Sequence, residues 1–352
     1  MYHRPVETAP EPHPSLLPPV QQPTGLTFLL KTWSGRLITL NVVMFIIEVL
    51  LSPRASLSAI PFEVLIQMGA KESVLLAQGE WWRLVTPMVL HGNLIHLLFN
   101  NWALYAVAYQ LEALLGARKF LLLYLLAGFG GNVLSAVWSL SLSVGASGAL
   151  FGLLGCAWFF ERTIQQRVKQ ITGLPPKAGA YTVMVVANIL FGFIMPQIDN
   201  AAHIGGLLVG VASAYVILRA TPNRLMPQNL TRARVVAGGA GLILLALALL
   251  GASAPYVQWR LERAVAAAEE PGLRYFYVNE LLKLDAKDPQ TLWHHFRLAL
   301  ELEDFRSANL DFNVLSGDPG FETRLSELEA ELMTRTDSRA ADWLRLKRRQ
   351  SP

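Results

Sequence analysis

Long apolar runs joined by short polar connections fill most of the first 250 residues, and the pattern changes near residue 255. A helix needs roughly 20 mainly apolar residues to cross a hydrocarbon core about 30 Å thick. Seven runs are predicted to be membrane helices: residues 36–52, 94–113, 119–140, 147–160, 180–196, 203–218 and 235–253. Beyond them, segments such as "TLWHHFRLALELEDF" and "RLSELEAELM" place apolar residues at amphipathic-helix spacing. Breaks at Pro271-Gly272, Asp288-Pro289 and Gly317–Gly320 predict soluble helices there, arranged as helical hairpins of repeat type. Residues 1–25 hold seven prolines and little that packs, which predicts a disordered tail. They also lack the basic, apolar and small-residue sections of a secretory signal.

The expected fold class is therefore an all-α polytopic membrane protein with a soluble helical C-terminal domain. The expected divisions are 1–30 as a Pro-rich tail, 31–220 as a six-helix core, 221–254 as a loop plus a seventh transmembrane helix, and 255–352 as the soluble domain.

Composition supports this and adds direction. Only 16% of the residues are charged and 53% are hydrophobic, whereas soluble domains carry about 25% charged residues. Residues 255–352 contain 17 of the 26 acids, so the membrane part is the basic one. Its bases fall in alternate connections: Arg118 and Lys119; Arg162, Arg167, Lys169 and Lys177; Arg219, Arg224, Arg232 and Arg234. Such loops stay cytoplasmic. Parity then puts the N-terminus inside and the C-terminal domain outside, in a multi-pass protein of a bacterial plasma membrane. The net charge of +4 is thus spent on orientation, and no nucleic-acid partner is expected. The single cysteine, Cys156, lies in an apolar helix as a small core residue, so neither a disulfide nor a cysteine metal site is expected.

Polar groups inside a membrane span are costly and tend to mark function. Four stand out. His96 and Asn100, four apart, share one helix face; Ser147 opens the fourth run and His203 the sixth. By parity the second, fourth and sixth runs all enter from the extracytoplasmic side, so the four residues share one depth. The fourth run, 147–160, is only about 21 Å long as a helix, which sinks Ser147 below the outer surface to the floor of a polar cavity. A serine beside glycine is ordinarily packing, and a lone membrane histidine is often structural. Convergence of all four argues for chemistry instead: Ser147 as nucleophile, His203 as base, and the Ser147 amide, His96 and Asn100 as oxyanion donors. Gly148 and Gly152, with Gly206 and Gly210, form small-residue faces that let the two helices touch. No carboxylate is evident to orient the imidazole, so a dyad is expected, with Asp199 a minor candidate. Glu48 reads as interfacial or hydrogen-bonded. Trp81, Trp82 and Arg83 read as interface anchors, and His294 and His295 as surface or packing residues.

These residues resemble the rhomboid intramembrane serine proteases. "WWRLVTPMVLHGNLIHLLFNN" resembles the family's Trp-Arg loop and His-x-x-x-Asn, at Trp82, Arg83, His96 and Asn100. "GASG" resembles the nucleophile motif at Gly145, Ser147 and Gly148, and "AHIGGLLVG" the sixth-helix motif at Ala202, His203, Gly206 and Gly210. Glu112 and Gly116 look like the family's Glu-x-x-x-Gly. The resemblance covers roughly residues 30–220 and implies a six-helix core that cleaves transmembrane helices of other proteins. It further implies Ser147 and His203 as the dyad and His96, Asn100 and the Ser147 amide as the oxyanion hole. Phe151 takes a place often held by tyrosine, which keeps a stacked ring and loses a hydroxyl.

The partners so implied are transmembrane protein substrates and the lipid bilayer, and the C-terminal domain is a candidate site for a protein partner; no cofactor or metal is expected. A catalytically silent rhomboid-like protein that binds membrane clients is the alternative. A metalloprotease lacks its His-Glu-x-x-His helix here. "GASGA" is not the Gly-x-Ser-x-Gly elbow of soluble hydrolases, and no inverted repeat supports a transporter.

Overall fold

The computed structural model describes residues 23–53, 57–173, 179–195, 198–221, 227–318, 320–334 and 339–350, and these are helical with short connections. Most of the expected N-terminal tail, with Lys177 and Arg224 of the basic loops, lies outside the described residues. The tail boundary drawn at residue 30 falls inside structured chain. Gly25–Lys31 forms α1, and Phe28 is buried with its ring edge-on to Tyr105 and Tyr109 at 5.2 and 5.7 Å.

The chain continues through α2 (Trp33–Leu51), two short loop helices α3 (Phe62–Gln67) and α4 (Ser73–Ala77), and α5 (Leu94–Ala103). A π-helical turn, Leu104–Ala108, joins α5 to α6 (Tyr109–Leu115). Then come α7 (Ala117–Trp138), α8 (Ser147–Thr172), α9 (Ala180–Ile194), α10 (Asn200–Ala220) and α11 (Leu230–Gly251). Each predicted membrane run thus coincides with helix. Among the described residues α2, α7, α10 and α11 are individually long and apolar enough to cross a bilayer. The protein is an all-α polytopic membrane protein.

Lipid contact explains what exposure alone would not. On α9 Val183, Val186, Leu190, Phe191, Phe193 and Ile194 are all exposed, and in α11 only 11% of the apolar window is buried. A water-soluble protein does not leave such apolar area open. One expectation is corrected: α8 does not end at Phe160 but runs to Thr172, where Gly173 takes a left-handed φ of 75°. The apolar run stops at Phe160, while the helix continues through Glu161, Arg162, Arg167 and Lys169.

The centre of the bundle is α7, α8 and α10, with Leu104, Phe120, Leu123, Tyr124, Leu153 and Cys156 among its buried residues. A Cβ on Gly206 would collide with the Gly148 carbonyl oxygen, and one on Gly210 with that of Gly152. Backbone therefore lies on backbone between α8 and α10. Glu112 on α6 ties the start of α2 to the bundle: its carboxylate accepts from the Trp33 and Ser34 amides at 2.7 and 2.8 Å and from the Ser34 hydroxyl at 2.8 Å. Gly116, at φ 79°, closes α6 four residues later.

The remaining helices are α12 (Ala254–Ala267), α13 (Pro271–Leu284), α14 (Pro289–Glu301), α15 (Phe305–Leu315), α16 (Phe321–Met333) and α17 (Arg339–Gln350). Asp288 caps α14 by accepting from the Thr291 amide at 2.8 Å, and Asp304 caps α15 through the Ser307 amide at 3.2 Å. Phe296 and Phe312 pack against Trp343, and Phe321 against both phenylalanines, in a core separate from that of the bundle. Buried His295 bonds Asp311 at 2.6 Å and stacks on Tyr275.

Candidate active site

The α8–α10 contact brings the serine and the histidine together. Ser147 is the first residue of α8, and His203 lies in the first turn of α10. The Ser147 hydroxyl and His203 Nε2 are 2.8 Å apart. With Nε2 accepting that hydroxyl proton, the imidazole carries its own proton on Nδ1, which is buried and has no hydrogen-bond partner. Ring position is held instead by stacking: Phe151, one turn along α8, lies 4.0 Å from His203 between centroids, with the planes 14° apart. Asp199 does not reach that imidazole. One of its oxygens takes the Ser135 hydroxyl and the other the Ala202 amide at 3.1 Å, which caps α10.

The approach to Ser147 is shaped by Gly145, whose φ of 124° is open only to glycine at low cost. The His96 ring sits so close that a Cβ on Gly145 would meet Cε1 and Nε2 at 2.7 Å, and Asn100 Nδ2 at 3.6 Å. Asn100 is buried, and its Nδ2 is unpartnered. As the first helical residue, Ser147 also has an amide with no acceptor inside α8, at the positive end of the helix dipole. His96 is fixed from below by Asn93, which caps α5 by accepting the His96 amide at 2.8 Å.

Several further residues support the site, and of the two readings given for Glu48 the hydrogen-bonded one holds. Glu48 is fully buried and accepts the His91 amide at 3.0 Å, so it pins α2 to the segment before α5. His91 is itself fully buried, with its ring edge-on to His96 at 5.2 Å. Arg83 is no interface anchor: it is 5% exposed and donates to the Ile66 and Ala70 carbonyls and to Glu80, whereas Trp81 and Trp82 are exposed. Lys71, fully buried, donates to the Ser139 carbonyl at 3.0 Å. Among the described residues no group of three or more His, Cys, Asp or Glu side chains is arranged to hold a metal ion.

A polytopic helical membrane protein with a half-buried serine hydrogen-bonded to a histidine defines a narrow class. Comparison with known proteins places the chain within it. A family profile, the Rhomboid domain, matches residues 78–220. The chain is 43% identical over 152 residues to "Rhomboid protease GluP" of Bacillus subtilis (strain 168), a match covering 43% of this chain and 29% of that protein. It is 36% identical over 151 residues to "Putative rhomboid protease YdcA" of the same organism, covering 42% of this chain and 73% of that protein. With "Rhomboid protease AarA" of Providencia stuartii it is 29% identical over 225 residues, covering 55% of this chain and 75% of that protein. The chain belongs to the rhomboid family. It spans less than a third of the length of GluP.

Proposed function

We propose that this protein is an intramembrane serine endopeptidase that cleaves peptide bonds in or near transmembrane segments of other membrane proteins. The observation that carries this reading is the 2.8 Å contact between the Ser147 hydroxyl and His203 Nε2. Serine alone is a weak nucleophile, and an imidazole at hydrogen-bond distance removes its proton during attack. Ser147 Oγ adds to the scissile carbonyl carbon, and its proton passes to His203 Nε2. The oxyanion so formed is met by the Ser147 amide, Asn100 Nδ2 and His96. Collapse breaks the C–N bond, the proton goes from His203 to the leaving amine, and an acyl-serine remains. Water activated by the same imidazole then releases the second product. The dyad works without a carboxylate because the Phe151 stack supplies the orientation that an aspartate gives in a triad.

The substrate must unwind at the cut, because an intact helix holds its carbonyls in internal hydrogen bonds. Helices with weak local propensity near the membrane surface are the substrate class this implies. The site faces the extracytoplasmic side, with the N-terminus and the three basic loops inside, on the charge distribution of those loops. Residues 31–220 form the catalytic unit, 221–254 the connection and additional crossing, and 255–352 the extracytoplasmic domain. The test is cleavage of a fluorescent single-span substrate by purified protein in liposomes. Ser147→Ala and His203→Ala should abolish it, and Asn100→Ala should lower it by about 10²–10³-fold. Undiminished cleavage by Ser147→Ala would end the serine-protease reading.

A further inference from the structure

The C-terminal helical domain is seated on the membrane bundle at the end that carries Ser147. Val257 and Leu261 of α12 and Leu281 of α13 bury against Val74 of α4, with Leu140 of the α7–α8 loop at the margin. Gln78 donates to the Lys283 carbonyl at 2.8 Å. Polar contacts from α12 fall on one turn of one helix. The last carbonyls of α7 have no partner within that helix; Arg260 donates to the Ala136 carbonyl at 2.9 Å, and the Tyr256 hydroxyl donates to that of Val137 at 2.9 Å. A guanidinium at a helix C-terminus is also favoured by the helix dipole.

That turn of α7 governs both halves of the candidate dyad. Ser135, one residue before Ala136, bonds Asp199, the cap of the helix that carries His203. On the other side the chain leaves α7 through Ser139, whose carbonyl takes Lys71, and reaches Ser143, which pairs with the Lys71 backbone at 3.0 and 3.1 Å. Two residues further on comes Gly145, and then Ser147. A shift of the α7 end therefore moves the nucleophile loop and the cap of the base helix together. We propose that Tyr256 and Arg260 are positioning residues, through which the C-terminal domain holds this end of α7 in register and so sets the turnover at Ser147. The inference rests on the proteolytic reading of the site.

The test uses the full chain in liposomes with the single-span substrate. Arg260→Ala should lower kcat by about ten- to a hundredfold, the range that misplacement by about an ångström produces, with KM unchanged. Tyr256→Phe, which deletes only the hydroxyl, should lower kcat less. Arg260→Lys keeps a cationic donor and should restore most of the rate. Arg263→Ala, on the same helix but stacked over Trp259, should behave as wild type. A wild-type kcat in Arg260→Ala, or a change in KM alone, overturns the proposal. Amide hydrogen exchange over residues 139–146 reads the same holding without reference to turnover. It should accelerate in Arg260→Ala and recover in Arg260→Lys, and unchanged exchange overturns the proposal as well. Cleavage persisting in Ser147→Ala would instead remove the proteolytic reading, while the exchange result still decides whether α12 holds the loop.

Discussion

At the scale of single residues, the strongest supports are charged groups serving backbone. Glu112 takes three donors at the start of α2. Its replacement by alanine leaves the buried Ser34 amide and hydroxyl unpaired at about 1–3 kcal/mol each. Glu112→Ala should therefore lower the thermal inactivation midpoint in detergent well below that of any exposed substitution, such as one at Glu63. Lys71 behaves differently with pH. Burial pulls its ammonium from 10.5 down to about 8, so between those values the unfolded chain binds a proton that the folded chain has released. Stability from this group accordingly rises as pH goes from about 8 to 10.5, and the full cost of the buried charge is present below 8. The difference in midpoint between wild type and Lys71→Met should shift in favour of wild type across that window; a flat difference would refute it. These two residues also mark the limit of what could be read in advance. Ser147 and His203 were legible as a pair because both open helices entering from one side and both head glycine faces. Lys71 and His91 were not, and Glu48 was legible as interfacial or hydrogen-bonded but without its partner, because these contacts depend on the path of residues 53–92, where no helical or strand period fixes a direction.

At the scale of elements, the contact between α8 and α10 is the one on which the site depends. Side chains are absent where the two backbones meet, so a substituent there cannot be absorbed by a rotamer change. Gly206→Val should separate the helices and lower cleavage at least as much as Asn100→Ala, while the protein still inserts in the membrane; normal activity would mean that the helices do not need this distance. Gly116→Ala, at a positive φ but with open space around its Cβ position, isolates backbone strain for comparison. Element positions were legible from hydropathy because lipid imposes the pattern. Element ends were not: hydropathy marks where the apolar run stops, and α8 continues for about three further turns beyond Phe160. The short helix α1 was missed because prolines upstream masked a seven-residue segment whose buried side chain is Phe28, set between two tyrosines of the π turn and α6.

At the scale of the molecule, orientation can be checked directly. The sole cysteine, Cys156, is fully buried, so a cysteine introduced at an exposed site such as Ser326 is the only accessible thiol. A membrane-impermeant maleimide should label Ser326→Cys in intact cells and should not label Gln170→Cys until the membrane is opened. The reverse pattern would invert the proposed topology. The presence of a helical C-terminal unit was legible from composition, since most of the acids lie there. Its docking was not, because Tyr256 and Arg260 meet carbonyls more than a hundred positions earlier in the chain.

The additional helix α11 touches the rest of the bundle over little of its surface, yet it decides an address. It carries the chain back from the end where α10 stops to the end where α7 stops. In the proposed topology, one crossing fewer would deliver the same domain sequence to the opposite compartment, intact and unable to meet the helix end it fits. A helix that buries only 11% of its apolar window in the bundle thus determines which residues of this protein can ever become neighbours.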